Sequence, residues 1–515
     1  MAVTSQISPF VVRLKGGLVL DKSTFEYDPG EAQLLQNFEP SIKGGYRRIN
    51  GTQKSTSNEI SGSGNVLGIT TLGSTIIAAR GASLFKASAT STSASWSTIT
   101  TARSDAVRYN FDLLNFSGTE KIVGVDDDNY AFTYDGSNYV LLNGSAGSGA
   151  GTAPTNPAHV AVHRGRVFFS GMSADTAELA YTALLNENDF SAANGAGAIQ
   201  IPDVIVQLKS FREKLIIFCQ NSIYQLLGSS NADFQLFPIT QDLGCVNGFS
   251  VQEFGSNLVF LAPDGLRTVA ATEKIGDIEL GSLSRNIQSK LDSVSTGATI
   301  SSVVVQEKNQ YRLFFPSTSA TEANSEGIIM TQTKEGFAFS TIKGFGPACC
   351  TSTIITGDEY VLHGERSGGF IYRQDTGNTL AEDVDGTGGT NMTAIYQSPH
   401  MILGDAGIRK NMQRVILNYE AEGVLDADLY MLYDYEDPDS AQPSAIQLTD
   451  IGSVALYGTA KYGTGLYGTT EGIPLIRQHV VGSGFAVGIK IKDIDGKSPF
   501  IIKGFQLGFT PGGRR

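Results

Sequence analysis

HVAVHRGRVFFSG (159–171), VQLKSFREKLIIFCQNSIYQLLG (206–228) and FSVQEFGSNLVFLAPDGLRTVAA (249–271) read as one structural phrase stated three times. Each opens with a short apolar run and turns at Arg164-Gly165, Arg212-Glu213 or Gly255-Ser256. A longer apolar run follows, at 167–169, 215–218 or 258–261. Short runs rich in Val, Ile, Phe and Tyr, bounded by Gly, Asn, Asp and Pro, are strands rather than helices. Similar strand units repeated about every 45 residues predict a β-propeller with one blade per unit.

The same form extends outward from this centre. Before it lie NVLGITTLGSTIIAARGASLFKAS (65–88) and DAVRYNFDLLNFSGTEKIVGVDDDNYAFTYDGSNYVLL (105–142). After it come strand units at 301–343 and 350–374, separated from the centre by a helix expected at 281–295, where Leu283, Ile287 and Leu291 share a face. The spacing gives a propeller of about six to seven blades over residues 61–376. Residues 1–60 read as an N-terminal arm with a short helix at 28–36, because Asp28-Pro29-Gly30-Glu31 offers a cap, a first-turn proline and a first-turn acid. The acidic, Gly-rich stretch 377–390 reads as a linker. Residues 391–515 carry longer alternating runs and predict a β-sandwich. That sandwich holds an insert in which Tyr-Gly recurs at Tyr457, Tyr462 and Tyr467. A period of five fits neither strand nor helix, so a loop anchored by tyrosines is expected, a candidate tip or channel element.

Composition narrows the function. Charged residues are 17% of 515, Gly numbers 59, and the net charge is −13. This is a turn-rich globular chain, neither disordered nor coiled coil. No Lys/Arg-rich run is present to neutralise phosphates, so tight nucleic-acid binding is not expected. Cys219, Cys245, Cys349 and Cys350 lack metal-ligand spacing and read as reduced, largely buried thiols, as in a cytoplasm. No signal peptide and no apolar run long enough to span a membrane is read.

Signatures of chemistry are weak. His159 and His163 flank one strand, on the same side but about 13 Å apart at 3.3 Å per residue, too far for one metal ion. Asp126-Asp127-Asp128-Asn129 could offer oxygens to calcium but lacks the loop spacing, and reads as a solvated hairpin turn. The acidic clusters at 434–439 and at Glu382-Asp383 are likewise expected to be solvated turns. A propeller glycosidase needs two converging carboxylates. Asp203, Asp264 and Glu307 are available, but nothing in the sequence pairs them. No catalytic residue, metal site or cofactor site is expected.

KGGLVLDKSTFEYDPGEAQLLQNFEPSIKGGYRRING (15–51) resembles the opening of the tail nozzle proteins of short-tailed bacteriophages, of the tail tubular protein B and packaged-DNA stabilisation type. The residues that carry the resemblance are Gly16, Gly17, Leu18, Pro29, Gly30, Glu31, Ala32, Asn37, Glu39, Pro40, Gly44, Gly45, Tyr46, Arg47 and Arg48. NENDFS (186–191), GCVNGFSV (244–251), FLAPDGLRTV (260–269) and the ending IKGFQLGFTPGGRR (502–515) match the family's style in the same order. The resemblance implies an irregular propeller in a homo-oligomeric ring, usually of six copies, below the adaptor of the head-to-tail connector. It also implies contact with tail fibres, transient non-specific contact with packaged DNA, and a place in the virion after assembly in the host cytoplasm. A DNA exit channel should avoid tight phosphate contacts, and a net-acidic chain fits that need. Gly44, Gly45, Tyr46, Arg47 and Arg48 are candidates for an assembly interface, with strand pairing inside the chain as the alternative. A receptor- or carbohydrate-binding propeller at the tail periphery is the second reading, and a propeller hydrolase the third.

Overall fold

The structure is a computed structural model that describes residues 7–104, 108–144, 151–272, 282–294, 299–315, 325–437, 442–450 and 475–514. The turns that punctuate the repeated phrase set its geometry. Arg164-Gly165 (φ 46° and 75°), Arg212-Glu213 (45° and 62°) and Gly255-Ser256 (58° and 61°) all place two successive residues in the left-handed region. Two positive φ values in a two-residue loop define the type I′ turn, whose twist matches that of paired strands. Each turn therefore joins two adjacent antiparallel strands, as in His159–His163 with Arg166–Ser170 and Ile205–Phe211 with Lys214–Cys219.

These hairpins grow into blades. Four-stranded sheets run from Val66–Leu72 to Ser97–Thr100, from Asn110–Leu114 to Tyr139–Leu141, from His159–His163 to Gly197–Gln200 and from Ile205–Phe211 to Gln235–Thr240. A three-stranded sheet follows, from Gln252–Phe254 to Gly265–Thr268. The last blade joins Pro347–Ile355, Asp358–Glu365 and Ile371–Gln374 to Thr52–Lys54 of the N-terminal arm. These six blades are sheets of their own. A further four-strand unit, from Ser301–Val305 to Gly336–Lys343, stands between the last two but continues into a larger sheet. The first strands of the units stand side by side around an axis, and Pro347–Ile355 packs against Val66–Leu72 to close the circle. Core residues sit between blades: Phe168, Leu208 and Ile217 share one apolar cluster, and Phe218 and Phe260 another. Each such side chain contributes roughly 1.5–3 kcal/mol by leaving water.

The C-terminal region is two sheets face to face. One has nine strands and contains the Ser301–Lys343 unit, then Leu34–Gln36, Ala394–Gln397, Val487–Asp493, Leu425–Tyr433 and Ile446–Asp450. The other has seven, built on the long pair Ile408–Ala421 and Phe500–Arg514, with Ser8–Arg13, Phe38–Pro40 and Tyr46–Arg48 added from the N-terminal arm. Alternate side chains of Leu425–Tyr433 are buried, the period of two that a half-buried strand requires. The shared core includes Phe38, Tyr46, Leu417, Leu429, Ile491 and Phe505.

Several expectations are corrected. Residues 28–36 do not form a helix. Glu31 N donates to the Asp28 carbonyl at 3.0 Å and Asp28 N to Glu31 Oε2 at 3.0 Å, so the capping signal closes one turn. The chain then extends as Leu34–Gln36, because Leu35 is buried opposite Tyr396 in the sheet. Tertiary pairing overrides local propensity there. The helix expected at 281–295 is a 3-10 turn, Arg285–Ile287, running into Gln288–Asp292, with Ile287 and Leu291 buried as the spacing required. The stretch 377–390 is not a loose linker. It pairs with the arm through Thr52 N to the Thr379 carbonyl at 3.0 Å and Lys54 N to the Glu382 carbonyl at 2.9 Å. Glu382 is itself buried, accepting from the Asn378 and Thr379 amides at 2.7 Å each. Asp126 is no solvated turn residue either: it is fully buried against Arg103 at 2.5 Å. Asp434 accepts from the Phe485 and Ala486 amides, at 2.6 and 3.1 Å. The arm is thus distributed through the structure: it supplies strands to both C-terminal sheets and to the last blade.

Candidate functional site

The residues that carry the family resemblance converge where the propeller meets the C-terminal sheets. Gly45 (φ 85°) lies so close to the next strand that a Cβ would sit 2.2 Å from the Ile502 carbonyl oxygen. That approach lets Tyr46 pass into the core. Its hydroxyl accepts from Gly17 N at 3.0 Å and lies 2.8 Å from the carbonyls of both Lys15 and Gly30. Burial pushes the Tyr46 phenol well up, so it serves as a neutral clasp for three backbone groups on two segments.

Arg47 and Arg48 point to opposite sides of their strand and meet different acids. Arg47 makes a two-pronged contact with Glu422, 2.7 Å on each prong, and reaches Glu39 at 3.1 Å. Glu39 also takes Lys308 at 2.9 Å and Gln310 Nε2 at 2.8 Å, while Asp375 takes Lys308 at 2.8 Å and Arg312 at 2.9 Å. Three cations thus face three carboxylates. Burial pushes the Glu39 carboxyl up, but Lys308, Arg312 and Arg47 outweigh it and hold it below the ordinary range. Arg48, fully buried, touches Asp493 at 2.5 Å. Burial pushes Arg48 down and Asp493 up, each partly offset by the other.

Tyr46 and Arg48 are therefore spent inside the chain, the intramolecular alternative for this motif. What reaches solvent nearby is the turn before them, with Ile42 at 55% exposure and Lys43 and Gly44 open. Tyr457, Tyr462 and Tyr467 lie outside the described residues.

A second site lies on the propeller axis. A cavity of about 370 Å³ is lined by inner strands of most blades. Its charged lining is Arg108, Lys209 and Glu253. The Arg108 guanidinium lies 3.4 Å from the Phe249 ring centre and donates from Nη1 to the Ile300 carbonyl. Asn110 Nδ2 donates to Gln207 Oε1 at 3.0 Å, and Gln207 Nε2 to the Gly248 carbonyl at 3.3 Å, which fixes one polar wall. Cys349 and Cys350 face the same space, both pushed up to about 12 by burial, so they are thiols rather than thiolates.

Asp203, Asp264 and Glu307 do not line the cavity. Asp203 accepts from Asn221 N and Ser222 Oγ, and Asp264 pairs with Arg267. The pair of carboxylates a glycosidase needs is not assembled there. His163 is buried, with Nδ1 2.8 Å from Ser210 Oγ. Among the described residues no group of three or more His, Cys, Asp or Glu side chains could hold a metal ion. Nor is any helix among them long and apolar enough to cross a membrane. Sequence reading missed Arg108, Arg312, Asp375 and Asp493, whose partners lie far off in the chain and leave no local pattern.

No protein-family model matches the chain, and no curated protein matches it. Among solved structures it is similar to the extracellular domain of a hybrid two-component system, BT3049, from B. thetaiotaomicron (13% identity, 61% of this chain and 40% of that one, TM-score 0.37). It is also similar to PorZ, a surface component of the type-IX secretion system of Porphyromonas gingivalis (11%, 68% and 43%, 0.38). A third is the extracellular domain of BT4673, another hybrid two-component system from B. thetaiotaomicron (10%, 72% and 44%, 0.38). The chain spans less than half the length of each. At TM-scores this low the likenesses carry no argument, and the fold rests on the strand pairing itself.

Proposed function

We propose that this chain is a structural virion protein, the tail nozzle of a short-tailed bacteriophage, which closes into a ring below the adaptor and forms the DNA exit channel. One observation carries the reading: the ordered set of residues from Gly16 to Arg48 that resembles the nozzle family. Its placement supports the reading, because those residues clasp the propeller to the C-terminal sheets through buried Tyr46, Glu39 and Arg48. A ring subunit that must hold its neighbours needs its two parts fixed to each other. The net charge of −13 supports passage of DNA without tight binding.

Native mass spectrometry of the full chain, alone and with its adaptor ring, tests this. A closed homo-oligomer, of six copies by the resemblance, is expected in at least one condition. A monomer that ignores the adaptor overturns the reading and, if it binds host-surface glycan, favours a receptor-binding propeller at the tail periphery.

A further inference from the structure

The axial cavity holds a charge that the architecture does not use. Arg48, Arg103 and Arg312 are buried, and each has a carboxylate at 2.5, 2.5 and 2.9 Å. Arg108 has none: among the described residues it forms no ion pair. Its Nε is buried without a partner, and the titratable groups that reach it are the neutral thiols of Cys349 and Cys350 and the cation Arg366, not an acid. Lys209, across the cavity, makes no ion pair among the described residues. Asp112 feels the charge of Lys209, but burial pushes its carboxyl up, and its two oxygens accept from the Val162 and Leu113 amides at 2.7 and 2.8 Å. Among the described residues Glu253 is the one carboxylate of the lining, and it is exposed. A chain of net charge −13 thus presents a net-positive pocket at the centre of its propeller.

A partly desolvated cation without a counter-charge is costly, and buried charges are as a rule paired, so an anionic ligand would relieve that cost. The Phe249 ring and the Ile300 carbonyl fix the guanidinium in place before any ligand arrives. The amide wall of Asn110 and Gln207 is likewise set in advance. Burial pushes Arg108 down to about 10, which leaves it charged at neutral pH.

We propose that the axial cavity binds a small molecule bearing an oxyanion group, a carboxylate or a phosphate, on the guanidinium of Arg108 with Lys209 as the second cation. A volume of about 370 Å³ suits a metabolite or a single sugar acid and cannot admit a nucleic-acid duplex. The site is therefore separate from any DNA path.

Isothermal titration of the full-length protein, at constant ionic strength in phosphate-free buffer, tests the proposal with two probes, inorganic phosphate and glucuronate. Saturable binding of at least one is expected, and which one binds assigns the oxyanion. Arg108→Gln should weaken it about tenfold or more, as befits loss of a charge-assisted pair, and Lys209→Gln by less. Arg108→Lys keeps the charge but not the planar fork, and serves should the glutamine variant not fold; it too should bind more weakly. Absence of saturable binding by both probes, or unchanged binding in the Arg108 variants, overturns the proposal. Binding is read on monomer or ring alike, so its failure leaves the assembly reading standing.

Discussion

At the junction between propeller and C-terminal sheets, Arg47, Lys308 and Arg312 meet Glu39, Glu422 and Asp375; at the propeller axis, Arg108 forms no ion pair with any acid among the described residues. Both places take arginine out of bulk water. The junction cancels each charge with another from a distant part of the chain and thereby fixes two bodies in register. The axis leaves its charge open and braces it with an aromatic ring. Paired charges specify architecture; a braced, unpaired charge points to something that arrives later.

The sharpest way to break this contrast is at Arg48. Arg48→Met leaves Asp493 buried without its partner and should destabilise the fold by about 3–5 kcal/mol in urea unfolding. Replacing both, Arg48→Met with Asp493→Leu, should recover most of that loss. A double variant as damaged as the single one would show that the pair does more than neutralise charge.

Titration extends the contrast to groups buried without charge. Burial holds His163 down to about 4 and His363 down to about 3, with Arg164 adding to the effect on His163. An unfolded histidine titrates near 6.5, so the unfolded state binds more protons as pH falls below that value. Stability from these two residues is complete above about pH 6.5 and is lost toward pH 4, with each contributing about 2 kcal/mol of loss by pH 5. Stability measured from pH 7 to 5 should fall, and His363→Gln should flatten the slope.

Smaller effects follow. Gly45→Ala forces a Cβ against the Ile502 carbonyl at a left-handed φ and should cost about 2 kcal/mol in thermal unfolding. Arg108→Gln, by contrast, should cost no more than about 1–2 kcal/mol, since it leaves no acid unpaired and deprives only the Ile300 carbonyl of its donor. A large loss there would make the axis a second junction and erase the comparison. Lys43→Ala, at an exposed pair 3.9 Å long, should change monomer stability by less than about 0.5 kcal/mol. If it nevertheless shifts the oligomer distribution, the turn before Tyr46 is an assembly contact.

The strands were legible because alternation and turn chemistry are local. Arg164-Gly165 and Gly255-Ser256 announce their hairpins within two residues, and LDADLYMLY shows its buried face by parity alone. Residues 28–36 were misread because the capping signal is real but short, and the pairing of Leu35 with Tyr396 lies hundreds of residues away. The stretch 377–390 looks like a linker by composition, yet its backbone pairs with Thr52 and Lys54. The candidate sites follow the same rule. Arg47-Arg48 stands out as a basic doublet, but nothing near it names Glu422 or Asp493. Arg108 is one arginine in a strand approach, and only the folding of the blades around the axis shows that no acid among the described residues pairs with it.

The strand Thr52–Lys54, which completes the last blade, has a consequence for synthesis. Gln53 bonds to Asp383, 330 residues later in the chain. At roughly 5–20 residues per second, the arm must wait tens of seconds on the ribosome before its partners emerge. Throughout that interval the growing blades stand as an unclosed arc with a bare flank. Closure is thus a late event, timed by translation, and until then a nascent chain is exposed to pairing with its neighbours on the same polysome.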